Sequence, residues 1–192
     1  LLYWLYAILN SDQFTIRLAS LIFGVLSIAI FFLLSKKLFK ENHISFLTTS
    51  AFAVLFGLPM YEGNIANAEN FMLLPIILSA FFILNVKKQT PNRSIINHSS
   101  LILNPYFFSG LLLGIAFLFK IVAVFDFAAF FIFYFIINFD SLKKSIRLPA
   151  VIVGFFLPIL AVSLFFVLNN TFIDFIKAAF FTNISYVSYG NK

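Results

Sequence analysis

The amino-acid sequence predicts an all-α, polytopic transmembrane bundle of about six spans with an interfacial helix at its N-terminal end. Three observations lead there. Hydrophobic residues make up 62% of the 192, charged residues only 10%, and Phe alone occurs 30 times; a soluble domain carries about 25% charged residues. Apolar runs of roughly 20 residues, enough to cross about 30 Å of hydrocarbon at 1.5 Å rise per residue, recur along the chain. Runs such as IVAVFDFAAFFIFYFIINF lack the apolar–polar alternation of barrel strands. Backbone groups in lipid are satisfied only in helices or closed barrels, so these runs are helices.

The first 13 residues, LLYWLYAILNSDQ, are too short to span and rich in Trp and Tyr. They suit a helix lying at headgroup level; the end of a truncated span fits the same residues. Six spans follow, at Phe14–Ser35, Ile44–Met60, Phe71–Val86, Phe107–Phe119, Ile121–Asn138 and Leu148–Leu168. The fourth is short, and its Gly110 and Gly114 point to close helix packing, a tilt or a broken helix. Pro75 and Pro158 are expected to kink their spans, which neighbouring helices make tolerable.

The net charge is +6, yet the basic residues are scattered singly and in pairs between spans. That pattern is a topology signal rather than a nucleic-acid surface. Lys36, Lys37, Lys40, Lys87, Lys88, Arg93, Lys143, Lys144 and Arg147, nine of the 13 basic residues, fall on every second loop. The positive-inside rule makes those loops cytoplasmic and puts both chain ends outside, in the cytoplasmic (plasma) membrane. Tyr61–Asn70, Lys120 and the tail from Asn169 then share the extracytoplasmic face.

The chain holds no cysteine, which excludes disulfides, thiol nucleophiles and cysteine metal sites. His43 and His98 fall in cytoplasmic loops, far from the acidic residues, so a His–carboxylate pair or zinc site is not expected. Four Asn-x-Ser/Thr triplets, beginning at Asn92, Asn97, Asn169 and Asn183, are read as coincidence in an Asn-rich chain. The chain starts at Leu1 without Met, and it reads as part of a longer membrane domain.

The polar island YEGNIANAEN, residues 61–70, is the main candidate for chemistry. A bare turn needs Gly, Asn or Ser but not two carboxylates, and charge near a bilayer is costly and usually functional. A solvated turn is the competing reading. Glu62 and Glu69 could position a divalent cation, with carbonyls of Asn64 and Asn67 completing an oxygen-rich site. They could equally hold a basic group or act as a general base. Lys120, between two apolar runs, either snorkels to the headgroups or serves as a point charge for a phosphate. Arg17, at the outer end of the first span, invites the same comparison. Asp126 lies too far round its helix to face Lys120; it either pairs with a hydroxyl on another helix or marks a buried path.

Taken in order, these segments resemble GT-C-type membrane glycosyltransferases, in the branch of protein O-mannosyltransferase-like enzymes and lipid A aminoarabinose transferases. LLYWLYAILNSDQFTIRLASLIFGVLSIAIFFLLSKKLF is similar to that family's interfacial helix and arginine-leading second span, which ends in a basic turn. EGNIANAENFMLLPIILSAFF resembles its second outer loop, GLLLGIAFLFK its "G-L-x-x-G-L-A-f-l-x-K" stretch, and TFIDFIKAAFFTNISYVSYGN a later outer segment. The resemblance implies transfer of a sugar from a polyprenyl-phosphate donor to a lipid, glycan or protein acceptor at the extracytoplasmic face. It would give Glu69 a role in metal or acceptor positioning, place Lys120 near the donor phosphate, and match Arg17 to the arginine of the second span. Where many relatives carry Asp, this chain has Glu69. The family's principal catalytic aspartate would precede Leu1, so the 192-residue chain is expected to be inactive alone.

Two rival readings come from other classes. A secondary transporter or lipid flippase would use Asp126 and Lys120 as a buried path, although no internal repeat is evident. A non-catalytic membrane scaffold would tolerate alanine at both charged sites.

Overall fold

In the computed structural model, residues 12–58, 66–84, 104–137 and 147–181 are described, together with the isolated Ala7. Every regular element among them is helical. The interfacial segment 1–13 therefore lies almost wholly outside the described residues, as do Glu62, Asn64 and His98.

Six helices stand where six spans are expected: α1 (Gln13–Phe39), α2 (Asn42–Gly57), α3 (Ala68–Leu84), α4 (Pro105–Phe119), α5 (Ala123–Ile137) and α6 (Arg147–Leu168). A short helix α7 (Phe172–Ile176) and a π-helical turn (Lys177–Phe181) follow. Local chemistry sets several ends. The carboxylate of Asp12 accepts the Thr15 N–H and opens α1. Asn104 caps α4 through the Tyr106 N–H, with Pro105 at the first helical position. At the end of α1, Lys36 and Lys37 occupy the last turn and Lys40 takes a left-handed conformation (φ 57°), so cations meet the negative end of the helix.

Length separates these helices. Among the described residues, α1 and Leu148–Leu168 of α6 are the two stretches long and apolar enough to cross a bilayer by themselves. The described parts of α3, α4 and α5 have 17, 15 and 15 residues, about 22–26 Å at the helical rise. Pro75 and Pro158 lie inside α3 and α6 without ending either helix.

Contacts between side chains fix the direction of each helix. Phe31 stacks on Phe52 at 4.5 Å, and Gly24 faces Phe56, so α1 and α2 run antiparallel. Phe23 meets Phe71 at 5.1 Å, and the Lys37 ammonium sits 5.2 Å from the centre of the Phe81 ring, so α1 and α3 run parallel. Ser79 pairs with Ser109, and Phe82 stacks on Phe108, which makes α3 and α4 antiparallel. Tyr106 packs on Tyr134 at 5.1 Å, and Gly110 and Gly114 face Val151 and Phe155. Direction therefore alternates from α1 to α6, in a row α2–α1–α3–α4–α6 with α5 against α4 and α6.

The core is thin because the outer faces stay apolar. Phe71, Leu113 and Val151 are fully buried, while Leu21, Phe46, Leu47, Phe125, Ile136 and Leu160 are exposed, as helices facing lipid require. The α4–α6 crossing is the tightest contact. A Cβ added at Gly110, Gly114 or Gly154 would run into the backbone carbonyls of Val151, Phe155 and Phe107 respectively. Of the three expectations for Gly110 and Gly114, close packing is the one the structure bears out. Several hydroxyls inside the helices are satisfied locally: Ser27, Ser45, Thr48 and Thr49 each bond the carbonyl four residues back.

Candidate functional site

One end of the bundle carries Lys36, Lys37 and Lys40; the other carries the start of α3 and the end of α4. Helix α3 begins at Ala68, so Glu69 lies in its first turn rather than in a loop, two residues into the chain's return to regular structure. The side-chain oxygen of Asn67 accepts the Asn70 N–H at 3.2 Å and caps this turn. Lys120 terminates α4 in an extended conformation (φ −150°, ψ 129°), its N–H still bonded to the Ala116 carbonyl.

Because α3 and α4 are antiparallel, these two ends coincide. The Lys120 ammonium donates to Oε1 of Glu69 and forms the one ion pair among the described residues. The two side chains are 40% and 45% exposed, so the pair opens towards solvent rather than being sealed in the bundle. Directly beneath it lie three rings, one from each of three helices. Phe71 lies 5.1 Å from Phe23 and 5.9 Å from Phe119, and Phe23 and Phe119 are 6.4 Å apart. Phe71 has no exposed surface. The arrangement is a charged, half-open rim over a dry aromatic floor.

Each charge also sits at the helix end that favours it. A carboxylate in the first turn of α3 meets the positive pole of that helix, and an ammonium at the C-cap of α4 meets the negative pole. Both ions therefore have electrostatic support apart from one another.

The other expected residues fall differently. Arg17 is exposed near the start of α1 and has no side-chain partner among the described residues; the structure does not bring it to the ion pair. The Asn67 oxygen that a cation or substrate would use is committed to the cap, and Glu62 and Asn64 lie outside the described residues. Among the described residues no three His, Cys, Asp or Glu side chains cluster to hold a metal ion. The Glu69 carboxylate is held by Lys120, and the other oxygen donors expected for a divalent cation, Glu62 and Asn64, are the ones outside the described residues. Asp126 is half-buried in the first turn of α5, on the face it shares with Ala123 and Tyr134. The hydroxyl partner expected for it from another helix is not there among the described residues. The aromatic floor had no separate signal in a chain with 30 Phe. Only the position of Phe71 and Phe119 next to the two charged residues could have pointed to it.

The family model for dolichyl-phosphate-mannose-protein mannosyltransferases matches residues 1–166. The chain belongs to this family. Membership, with the apolar helices, makes it a membrane protein of the mannosyltransferase type, concerned with glycosyl transfer. No curated protein and no solved structure matches the chain. In this mannosyltransferase family member, the Glu69–Lys120 rim brings a cation and a carboxylate together over an apolar surface with access to solvent.

Proposed function

We propose that this mannosyltransferase family member transfers a sugar from a polyprenyl-phosphate donor to an acceptor hydroxyl at the extracytoplasmic face, with Glu69 and Lys120 at the reacting end. The observation that carries the reading is the ion pair itself, a cation and a carboxylate on one solvent-open rim. In the reaction the acceptor oxygen bonds to the sugar's anomeric carbon as that carbon's bond to phosphate breaks. The hydroxyl proton passes to a carboxylate base, and polyprenyl phosphate departs. Lys120 holds and neutralises the phosphate as negative charge develops on it. Glu69 accepts a hydrogen bond from the acceptor hydroxyl and orients it.

The extracytoplasmic assignment and six crossings belong to the same proposal. Support comes from the alternating helix directions and from Lys36, Lys37 and Lys40 at the end opposite the ion pair, the sidedness that the positive-inside rule reads as cytoplasmic. Short helices cross by local bilayer thinning and snorkelling flanks.

The test is sugar transfer by the full-length protein in nanodiscs from a polyprenyl-phosphate sugar. Glu69→Gln and Lys120→Ala should each lower turnover by about tenfold or more, as expected for groups that act in the transition state, while thermal unfolding changes little. Wild-type turnover in both variants would remove the pair from the reaction.

A further inference from the structure

Resting on that reading, we propose that Glu69 and the donor phosphate compete for Lys120, so that the carboxylate reaches its full strength toward the acceptor only once the donor has bound. As the chain stands, the Lys120 ammonium is already satisfied by Glu69. The rim is electrically neutral as a pair, and an arriving phosphate meets no free cation among the described residues there. It gains Lys120 by displacing Glu69.

The structure makes that displacement cheap. The side chains are 40% and 45% exposed, and ion pairs with such access to water are weak. The separated ions are not abandoned. Glu69 stays in the first turn of α3 and Lys120 at the C-cap of α4, each at the helix pole that stabilises its charge. Water reaches both. A lipid phosphate offers more negative charge and more acceptor oxygens than one carboxylate, so it wins the ammonium. The floor of Phe23, Phe71 and Phe119 blocks retreat of the lysine into the bundle, and the exchange takes place at the surface.

The consequence is an order of events. While Lys120 holds Oε1, Glu69 offers a hydroxyl only its other oxygen, whose basicity the adjacent ammonium lowers. Donor phosphate on Lys120 leaves Glu69 charged and unpaired beside the reacting carbon. An acceptor arriving without donor finds one carboxylate oxygen taken and the other weakened as a base.

Binding of a polyprenyl monophosphate to the full-length protein in nanodiscs tests this. Removing the competitor in Glu69→Gln should tighten binding about two- to fivefold, the scale of a half-exposed ion pair. Lys120→Met keeps the apolar stem on the floor and should weaken binding about tenfold, the loss of a charge-assisted contact. With Lys120 gone there is nothing to compete for, so the double variant should bind like Lys120→Met alone. Unchanged or weaker binding in Glu69→Gln, with Lys120→Met impaired, overturns the exchange and leaves the phosphate role of Lys120 standing. Unchanged binding in Lys120→Met overturns the underlying reading as well. Melting of each variant in the same nanodiscs confirms that folded protein is being compared.

Discussion

Gly110 of α4 lies directly against the backbone carbonyl of Val151 in α6, closely enough that no Cβ fits between them. Gly154 returns the contact against the Phe107 carbonyl, so the two helices lock through small residues contributed from both sides. In a bilayer, where helices gain little from leaving lipid, such close backbone approach supplies much of the association energy.

Gly110→Val should therefore be among the most damaging single substitutions in the chain. The nearest atoms are backbone and cannot rotate away, so destabilisation of about 3 kcal/mol or more is expected, the upper range for overpacking. Gly57, which has open space around it, is the control, and Gly57→Ala should unfold like wild type. Equal melting of the Gly110 and Gly57 variants in detergent would contradict the crossing.

The Ser79–Ser109 hydroxyl pair, 2.6 Å apart and buried between α3 and α4, gives a second test. Either serine changed to alanine removes this contact and should cost about 1 kcal/mol. Changing both should cost less than the two single losses together. A double-mutant cycle on reversible unfolding reads the coupling, and strict additivity would show that the two hydroxyls act separately.

Exchanging the charges of the rim separates fold from function. The double substitution Glu69→Lys with Lys120→Glu keeps an ion pair but sets each charge at the wrong helix pole. Stability should fall by only about 1–2 kcal/mol, the two dipole terms at the surface. Sugar transfer should be abolished, because phosphate would face the carboxylate end. Retained transfer would mean that any pair at this place suffices.

Topology can be read directly in a chain without cysteine. A single cysteine replacing Ile65 should react with a membrane-impermeant thiol reagent added outside, and one replacing Thr90 should not. The reverse pattern would turn the bundle over and move the ion pair to the cytoplasmic face.

Much of the architecture is written in local sequence. The six helices fall within a few residues of the apolar runs, because each is set by features inside its own segment: Asp12 and Asn104 as caps, Pro105 at an N-terminus, Lys36 and Lys37 at a C-terminus. Glu69 and Lys120 were legible as charges at the edges of apolar runs that share one face of the membrane. Their direct union was not, since it depends on α3 and α4 pairing in register across 51 positions. Arg17 carries the same sequence signal as Lys120, a lone cation near a span end, but it sits on the exposed side of α1. Which side a residue occupies is decided by neighbours that the local pattern does not contain.

The rings of Phe23, Phe71 and Phe119 have a consequence for the membrane as well as for the site. An enzyme that works on charged groups at a bilayer edge risks opening a leak for protons and ions beneath them. Three interlocked rings from three helices, with Phe71 wholly out of contact with solvent, form an insulating septum under the ion pair. Deeper in the bundle, the hydroxyls of Ser79 and Ser109 are buried and bonded to each other. Charge can be handled on one rim of the bundle while the membrane's electrical resistance is left intact.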